Sequence, residues 1–169
     1  YLPDFEGSNK ADLPWRRVLT HSARWKAFIV LWKEAQNADG SWKKKTFSTK
    51  QSKRYPTSVV GDSLFIYKNY DKTIFKSIRD SPLNEKEGYV YSDLLFILYP
   101  QIVKRLSGEN FEDYIKNHYY HKLGANTLTF NPKRFYKLDD IVPTERDTFF
   151  RMTQLHGQVH DEAAAMLGG

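Results

Sequence analysis

Three groups of residues have types and spacings that could do chemistry. Ser41-Trp42-Lys43-Lys44 is an S-x-x-K match, which on a helix would set a lysine amine over a serine hydroxyl and activate it as a nucleophile. It follows Asp39-Gly40 in a basic stretch, where no buried helix start would desolvate the lysine and lower its pKa, so we read it as a chance match. His156 and His160 are spaced to share a helix face, as in metal-binding histidine pairs. Gly157 between them weakens a helix, and no Glu takes the position of a metalloprotease base; the segment reads as a hydrogen-bonded structural loop, and no metal or other cofactor is expected. Tyr91-Ser92-Asp93 stands immediately before an apolar run, where Ser92 or Asp93 as a helix N-cap would account for two of the three residues without any function. His21, His118 and His121 fall on expected helices or their ends without acidic partners in register, and read as surface or interface residues. There is no G-x-S-x-G elbow and no cysteine, which excludes a thiolate nucleophile, a zinc-thiolate site and a disulfide framework.

The elements that must position these groups are mostly helical. Asp12 is placed to cap a short helix with Pro14 in its first turn, and Trp15, Val18 and Leu19 on its apolar side. Trp25, Phe28, Ile29 and Trp32 recur at the spacing of one helical face, which predicts a helix over 24–38 ended by Asp39-Gly40. Thr57 to Val60 and Ser63 to Tyr67 flank Gly61-Asp62 as a hairpin, of type II′ because Gly comes first. Asp71 caps a helix presenting Ile74, Phe75 and Ile78 that should stop before Pro82. A long helix from Ser92 to Leu106 ends at Ser107-Gly108, with a kink expected at Pro100. Asn110 caps Phe111 to His121, closed by Leu123-Gly124, and Thr127 to Asn131 reads as a short extended segment. Thr144 and Asp147 suggest a capping box opening a helix through Met152, and Asp161 to Leu167 is helix-like. The fold class expected is mainly α with a small β component.

Composition bounds the rest. With 169 residues, 40% hydrophobic and 15% aromatic, the chain can bury a real core and reads as one domain over residues 1–169. Its longest apolar runs, Ala27 to Trp32 and Leu94 to Tyr99, fall far short of the roughly 20 residues of a spanning helix. The net charge is +6, but the basic residues Lys43, Lys44, Lys45, Lys50, Lys53 and Arg54 cluster in a Ser/Thr/Gln-containing stretch that reads as a solvated loop, so no nucleic-acid partner is expected. The chain begins at Tyr1 without Met or a leader and stops at Gly168-Gly169, which suggests a piece of a longer polypeptide.

Beyond composition, an ordered set of motifs resembles the β-lactamase-related serine hydrolases, the group of class C β-lactamases, D-amino-acid peptidases, penicillin-binding proteins and esterases. The set comprises Tyr91-Ser92-Asp93-Leu94-Leu95-Phe96-Ile97-Leu98, Ile102 to Gly108, Phe111 to Tyr114, Lys122-Leu123-Gly124-Ala125 and Phe130-Asn131-Pro132. Tyr1-Leu2-Pro3-Asp4-Phe5 with Leu13 to His21 is similar to the family's "YLPEF … LLtH" segment. Pro143-Thr144-Glu145, Gly157 to Glu162 and Leu167-Gly168-Gly169 resemble the approach to its third motif.

The resemblance implies the helical subdomain of the β-lactamase/transpeptidase-like α+β fold. It also implies that the S-x-x-K helix and the K-T-G or H-x-G strand lie outside this chain. What remains is the Y-x-N element, and Tyr91 inherits the role of general base or proton shuttle, with Asp93 in the orienting third position. A phenol of ordinary pKa near 10 can act as a base only where cations stabilise the phenolate. Asp93 stands where the family usually has Asn; an amide donates and accepts, an ionised carboxylate only accepts. His21-Ser22-Ala23 departs from "H-T-S-G-L", and Ala163 follows His160-Asp161-Glu162 where Asn is expected. The implied activity is acyl transfer on an ester, a D-amino-acid amide or a β-lactam, in a periplasmic or otherwise extracytoplasmic setting, with a small-molecule or peptidoglycan-like substrate and with self-association of the isolated piece. The alternative is a catalytically dead module that binds cell-wall peptide or glycan.

Overall fold

The computed structural model describes residues 1–60 and 63–167. The expected turn Gly61-Asp62 and the closing Gly168-Gly169 lie outside the described residues. Two compact units emerge, one formed by residues 1–29 and 75–129, the other by residues 30–74 and 130–169.

The first unit is helical and irregular. Its α1 (Trp15–Leu19) turns its one buried residue, Val18, to the core; Pro14 occupies the N-cap and Asp12 makes no capping bond, a correction of the expected cap. α4 (Leu94–Ser107) buries Leu94, Leu95, Leu98 and Ile102, continues through Pro100, and ends on Gly108 at φ 79°, a left-handed position that glycine adopts without steric cost. The Asn110 side chain accepts a bond from the Asp113 amide, satisfying one of the orphan donors at the start of α5 (Phe111–Ile115), which runs into a π-helical stretch, Lys116–Tyr120. Phe5 stacks on Trp25 with ring centroids 6.5 Å apart.

The helix expected over 24–38 does not form. Only α2 (Leu31–Glu34) is helical there, while Arg24 adopts φ 62° and Phe28 is 68% exposed. The reason is competition for backbone partners. Carbonyls of His21, Arg24 and Ala27 accept from the amides of Val90, Asn84 and Asp93, so this stretch is held extended against 84–93 instead of bonding to itself. The helical spacing of Trp25, Phe28, Ile29 and Trp32 is coincidental.

The second unit contains α2, two small sheets and α6 (Glu162–Met166). β1 (Phe47–Ser48), β2 (Thr57–Val60) and β3 (Leu64–Ile66) form an antiparallel sheet in the order β1-β3-β2, with Thr57 opposite Ile66 and an irregularity between Ser58 and Val60. β1 falls inside the stretch read as a loop, because Phe47 is drawn into an aromatic cluster with Trp42 at 4.7 Å and Phe150 at 5.6 Å. α3 (Tyr70–Asp80) runs from this unit into the first; it begins at Tyr70, so Asp71 lies in its first turn and not at the expected cap, and Ile74 and Ile78 are fully buried as its spacing predicts.

Residues 143–152 are not a helix. β4 (Pro143–Asp147) pairs with β5 (Thr153–His156), and the Thr144 hydroxyl donates to the Gln158 carbonyl rather than capping a helix. Asp147 closes the hairpin by accepting the amides of Phe149, Phe150 and Arg151 and the Arg151 guanidinium. The same carboxylate that suggested a capping box therefore organises a tight turn. No extended strand forms at 127–131. The helix-like run at 161–167 does form α6, and Asp161 caps it, accepting from the Ala164 amide at 2.5 Å.

Candidate active site

Tyr91-Ser92-Asp93 is an extended segment pinned at three points just ahead of α4. The Val90 amide donates to the His21 carbonyl at 2.9 Å, the Ser92 amide to His21 Nδ1 at 3.2 Å, and the Asp93 amide to the Ala27 carbonyl at 3.2 Å. Ser92 is buried, its hydroxyl donating to the Lys26 carbonyl at 2.7 Å and accepting from the Leu94 amide at 3.3 Å. Ser92 is thus spent on structure, although the N-cap position itself falls to Asp93. Asp93 is not. It occupies the N-cap of α4 without making a capping bond, which leaves its carboxylate to act on the Tyr91 phenol.

Tyr91 is 54% exposed. The hydrogen bond to Asp93, followed by the negative charge of that carboxylate, pushes the phenol above its ordinary value, because both favour the protonated form. Left with these neighbours alone, the hydroxyl is a donor and a proton carrier, not a base. Beside the segment runs an open groove of about 740 Å³ whose lining includes Lys26, Phe28, Asn84, Glu87 and Tyr89. Asn84 ties its two sides together, donating to the Trp25 carbonyl and accepting from the Lys26 ammonium, both at 2.9 Å.

The other candidates each have a structural setting of their own. Ser41 is exposed with its hydroxyl bonded to Asp39 at 2.6 Å, and Lys44, the lysine of the match, is exposed on a turn, so neither has a helix or a buried setting. His156 lies on β5 and its ring bonds the Ile141 carbonyl, while His160 bonds Glu145 at 2.5 Å. Among the described residues no group of three or more His, Cys, Asp or Glu gathers to hold a metal ion. His118 does have an acidic partner, Glu109 at 3.0 Å, contrary to expectation, since the turn at Gly108 folds the two residues together.

His21 corrects the sequence reading most. It is half-buried, its ring 4.6 Å from that of Tyr91, 5.7 Å from Tyr89 and 5.8 Å from Phe96. Two sequence signals pointed to it: it ends the Leu13 to His21 motif, and His is among the residues that tolerate the left-handed backbone it adopts, φ 55°.

The Beta-lactamase family model matches residues 1–139, and the chain belongs to that family. A relative from Escherichia coli (strain K12), provisionally named a D-alanyl-D-alanine carboxypeptidase, is 31% identical over 125 residues, which cover 66% of this chain and 28% of the relative. A relative of the same name from Salmonella schwarzengrund (strain CVM19633) is 29% identical over 124 residues, with the same shares covered. The chain thus spans little more than a quarter of the relatives it matches. No solved structure matches it.

Proposed function

We propose that this chain is the Tyr-bearing interior portion of a serine acyl hydrolase that cleaves a D-alanyl-terminated peptide, or a chemically related ester or β-lactam, outside the cytoplasm. The observation that carries this reading is the exposed Tyr91 at the head of α4, with His21 accepting the amides on either side of it and its ring 4.6 Å away, in a member of this family. The names of the relatives support the choice of a D-alanyl peptide over the other acyl donors.

In this reading the nucleophilic serine and its lysine come from flanking sequence. Tyr91 exchanges a proton with them: as the serine attacks the acyl carbon its proton leaves through the Tyr91–lysine pair, and the same route returns a proton to the departing amine. For Tyr91 to accept a proton, cations must outweigh Asp93, whose carboxylate holds the phenol protonated. The basic residues that resemblance places outside the chain would supply them.

That requirement also gives the alternative its footing. A carboxylate bonded to the phenol, where an amide is usual, is the substitution expected of a relative that has stopped catalysing and binds cell-wall peptide or glycan instead. The two readings separate on a longer polypeptide containing this chain and its flanks. Release of D-alanine from a D-alanyl-D-alanine peptide, with covalent labelling by a β-lactam, supports the hydrolase. Retention of the peptide without turnover or labelling supports the binding module.

A further inference from the structure

We propose that His21 is the positioning residue of the Tyr91 site, holding the phenol and its Asp93 partner in place through its Nδ1 atom and its ring. The argument starts from the backbone. Val90 and Ser92 are the residues on either side of Tyr91, and both of their amides end on His21, one on its carbonyl at 2.9 Å and the other on Nδ1 at 3.2 Å. One residue therefore brackets the tyrosine from both sides. Because Nδ1 accepts the Ser92 amide, the neutral ring carries its proton on Nε2.

The Ser92 amide belongs to a buried residue, and without an acceptor it would be an orphaned donor costing about 1–3 kcal/mol, so the segment would move to find another partner. The His21 ring meanwhile lies against Tyr91, Tyr89 and Phe96, restricting where the phenol can sit. His21 itself is fixed by its amide, which donates to the Val18 carbonyl at 3.1 Å at the end of α1, and by its left-handed backbone. From α1, bonds run through His21 to the residues on both sides of Tyr91, and the His21 ring contacts the phenol ring itself. This inference rests on the reading of Tyr91 as the proton-transfer group, and it makes His21 part of how the Tyr91–Asp93 bond is kept.

The test reads that bond directly, on this chain, without requiring activity. Tyrosine labelled with ¹³C at Cζ reports the ionisation of Tyr91 by NMR, with Tyr91→Phe assigning the resonance. His21→Ala removes acceptor and ring; it should free the phenol from Asp93 and lower its titration midpoint by about half a pH unit or more, roughly threefold in the ionisation constant. His21→Asn offers an oxygen near the Nδ1 position and tolerates the left-handed backbone, so it should restore most of the wild-type midpoint. If His21→Ala does not fold, His21→Gln, whose acceptor sits one carbon further out, takes its place with the same expected loss. An unmoved midpoint in the folded Ala or Gln variant, or an Asn variant no better than Ala, overturns the proposal.

In an active longer polypeptide His21→Ala should lower kcat about tenfold with KM changed by less than about twofold, as expected for loss of an interaction felt in the transition state. If Tyr91→Phe leaves turnover intact while the His21 variants move the Tyr91 midpoint, the functional reading fails and the positioning stands. If Tyr91→Phe abolishes turnover while the His21 variants move neither midpoint nor kcat, the positioning alone fails.

Discussion

At the scale of single residues, two carboxylates illustrate opposite uses of the same group. Asp93 is half-buried and faces a neutral phenol, so it raises the proton affinity of its partner. Asp147 is buried with Arg151, their side chains 4% and 1% exposed. Burial alone would push the Asp147 carboxyl up, but the Arg151 guanidinium and the amides of Phe150, Phe149 and Arg151 outweigh it and hold the carboxyl well below the ordinary carboxylate range. A carboxyl with a lowered folded-state value contributes stability that is full above the unfolded pKa near 3.9, and that is lost as pH falls through it toward the folded value. We therefore expect the unit containing β4 and β5 to loosen below about pH 4, monitored by hydrogen exchange in the 143–156 hairpin. Asp147→Ala leaves Arg151 charged and buried, with a predicted loss of about 3–5 kcal/mol in denaturant unfolding. A loss below about 1 kcal/mol would mean that the pair is dispensable. Neither the Asp147–Arg151 pair nor the His21–Ser92 bond could be read from the sequence: the first suggested a capping box, the second joins residues 71 positions apart.

At the scale of elements, legibility followed the source of the stabilising bonds. α3, α4, α5 and α6 satisfy their own backbone groups, and local signals announced them: Asn110 at an N-cap, Gly108 at a C-cap, Ile74 and Ile78 on one face, and the helix-like run at 161–167. The stretch 21–30 satisfies its groups with residues 84–93 and the two strands of the hairpin 143–156 satisfy theirs with each other; periodicity misled at the first and an apparent capping box at the second. The exit from β5 explains Gly157. It sits at φ 65°, and a Cβ there would lie 3.0 Å from Lys133 Cγ, so Gly157→Ala should cost roughly 1–2 kcal/mol for the left-handed backbone alone. In α4, Leu98 is fully buried, and Leu98→Ala should lower stability by about 2–5 kcal/mol; a cost under about 1 kcal/mol would show that the helix packs loosely beneath the Tyr91 segment.

At the scale of the whole molecule, what the chain lacks matters as much as what it holds. Among the described residues no helix is long and apolar enough to cross a membrane, and the only S-x-x-K match in the sequence lies on an exposed turn. The chain alone should therefore hydrolyse neither a chromogenic β-lactam nor a p-nitrophenyl ester above background, and Ser41→Ala should change nothing; turnover lost in that variant would make Ser41 a nucleophile. Leu106, Leu123, Phe149 and Met152 are each more than half exposed, and apolar surface left in water costs roughly 25 cal/mol per Å², so we expect concentration-dependent self-association in light scattering. A strictly monomeric species at high concentration would contradict this. The central claim, that this family member presents Tyr91 for proton transfer, is tested most directly by Tyr91→Phe in a longer polypeptide that turns over a D-alanyl-D-alanine peptide. The variant keeps the ring against His21 and removes only the hydroxyl. We predict turnover lower by about 10²-fold or more with the melting temperature nearly unchanged, whereas full turnover, or a large loss of stability in its place, would contradict the account.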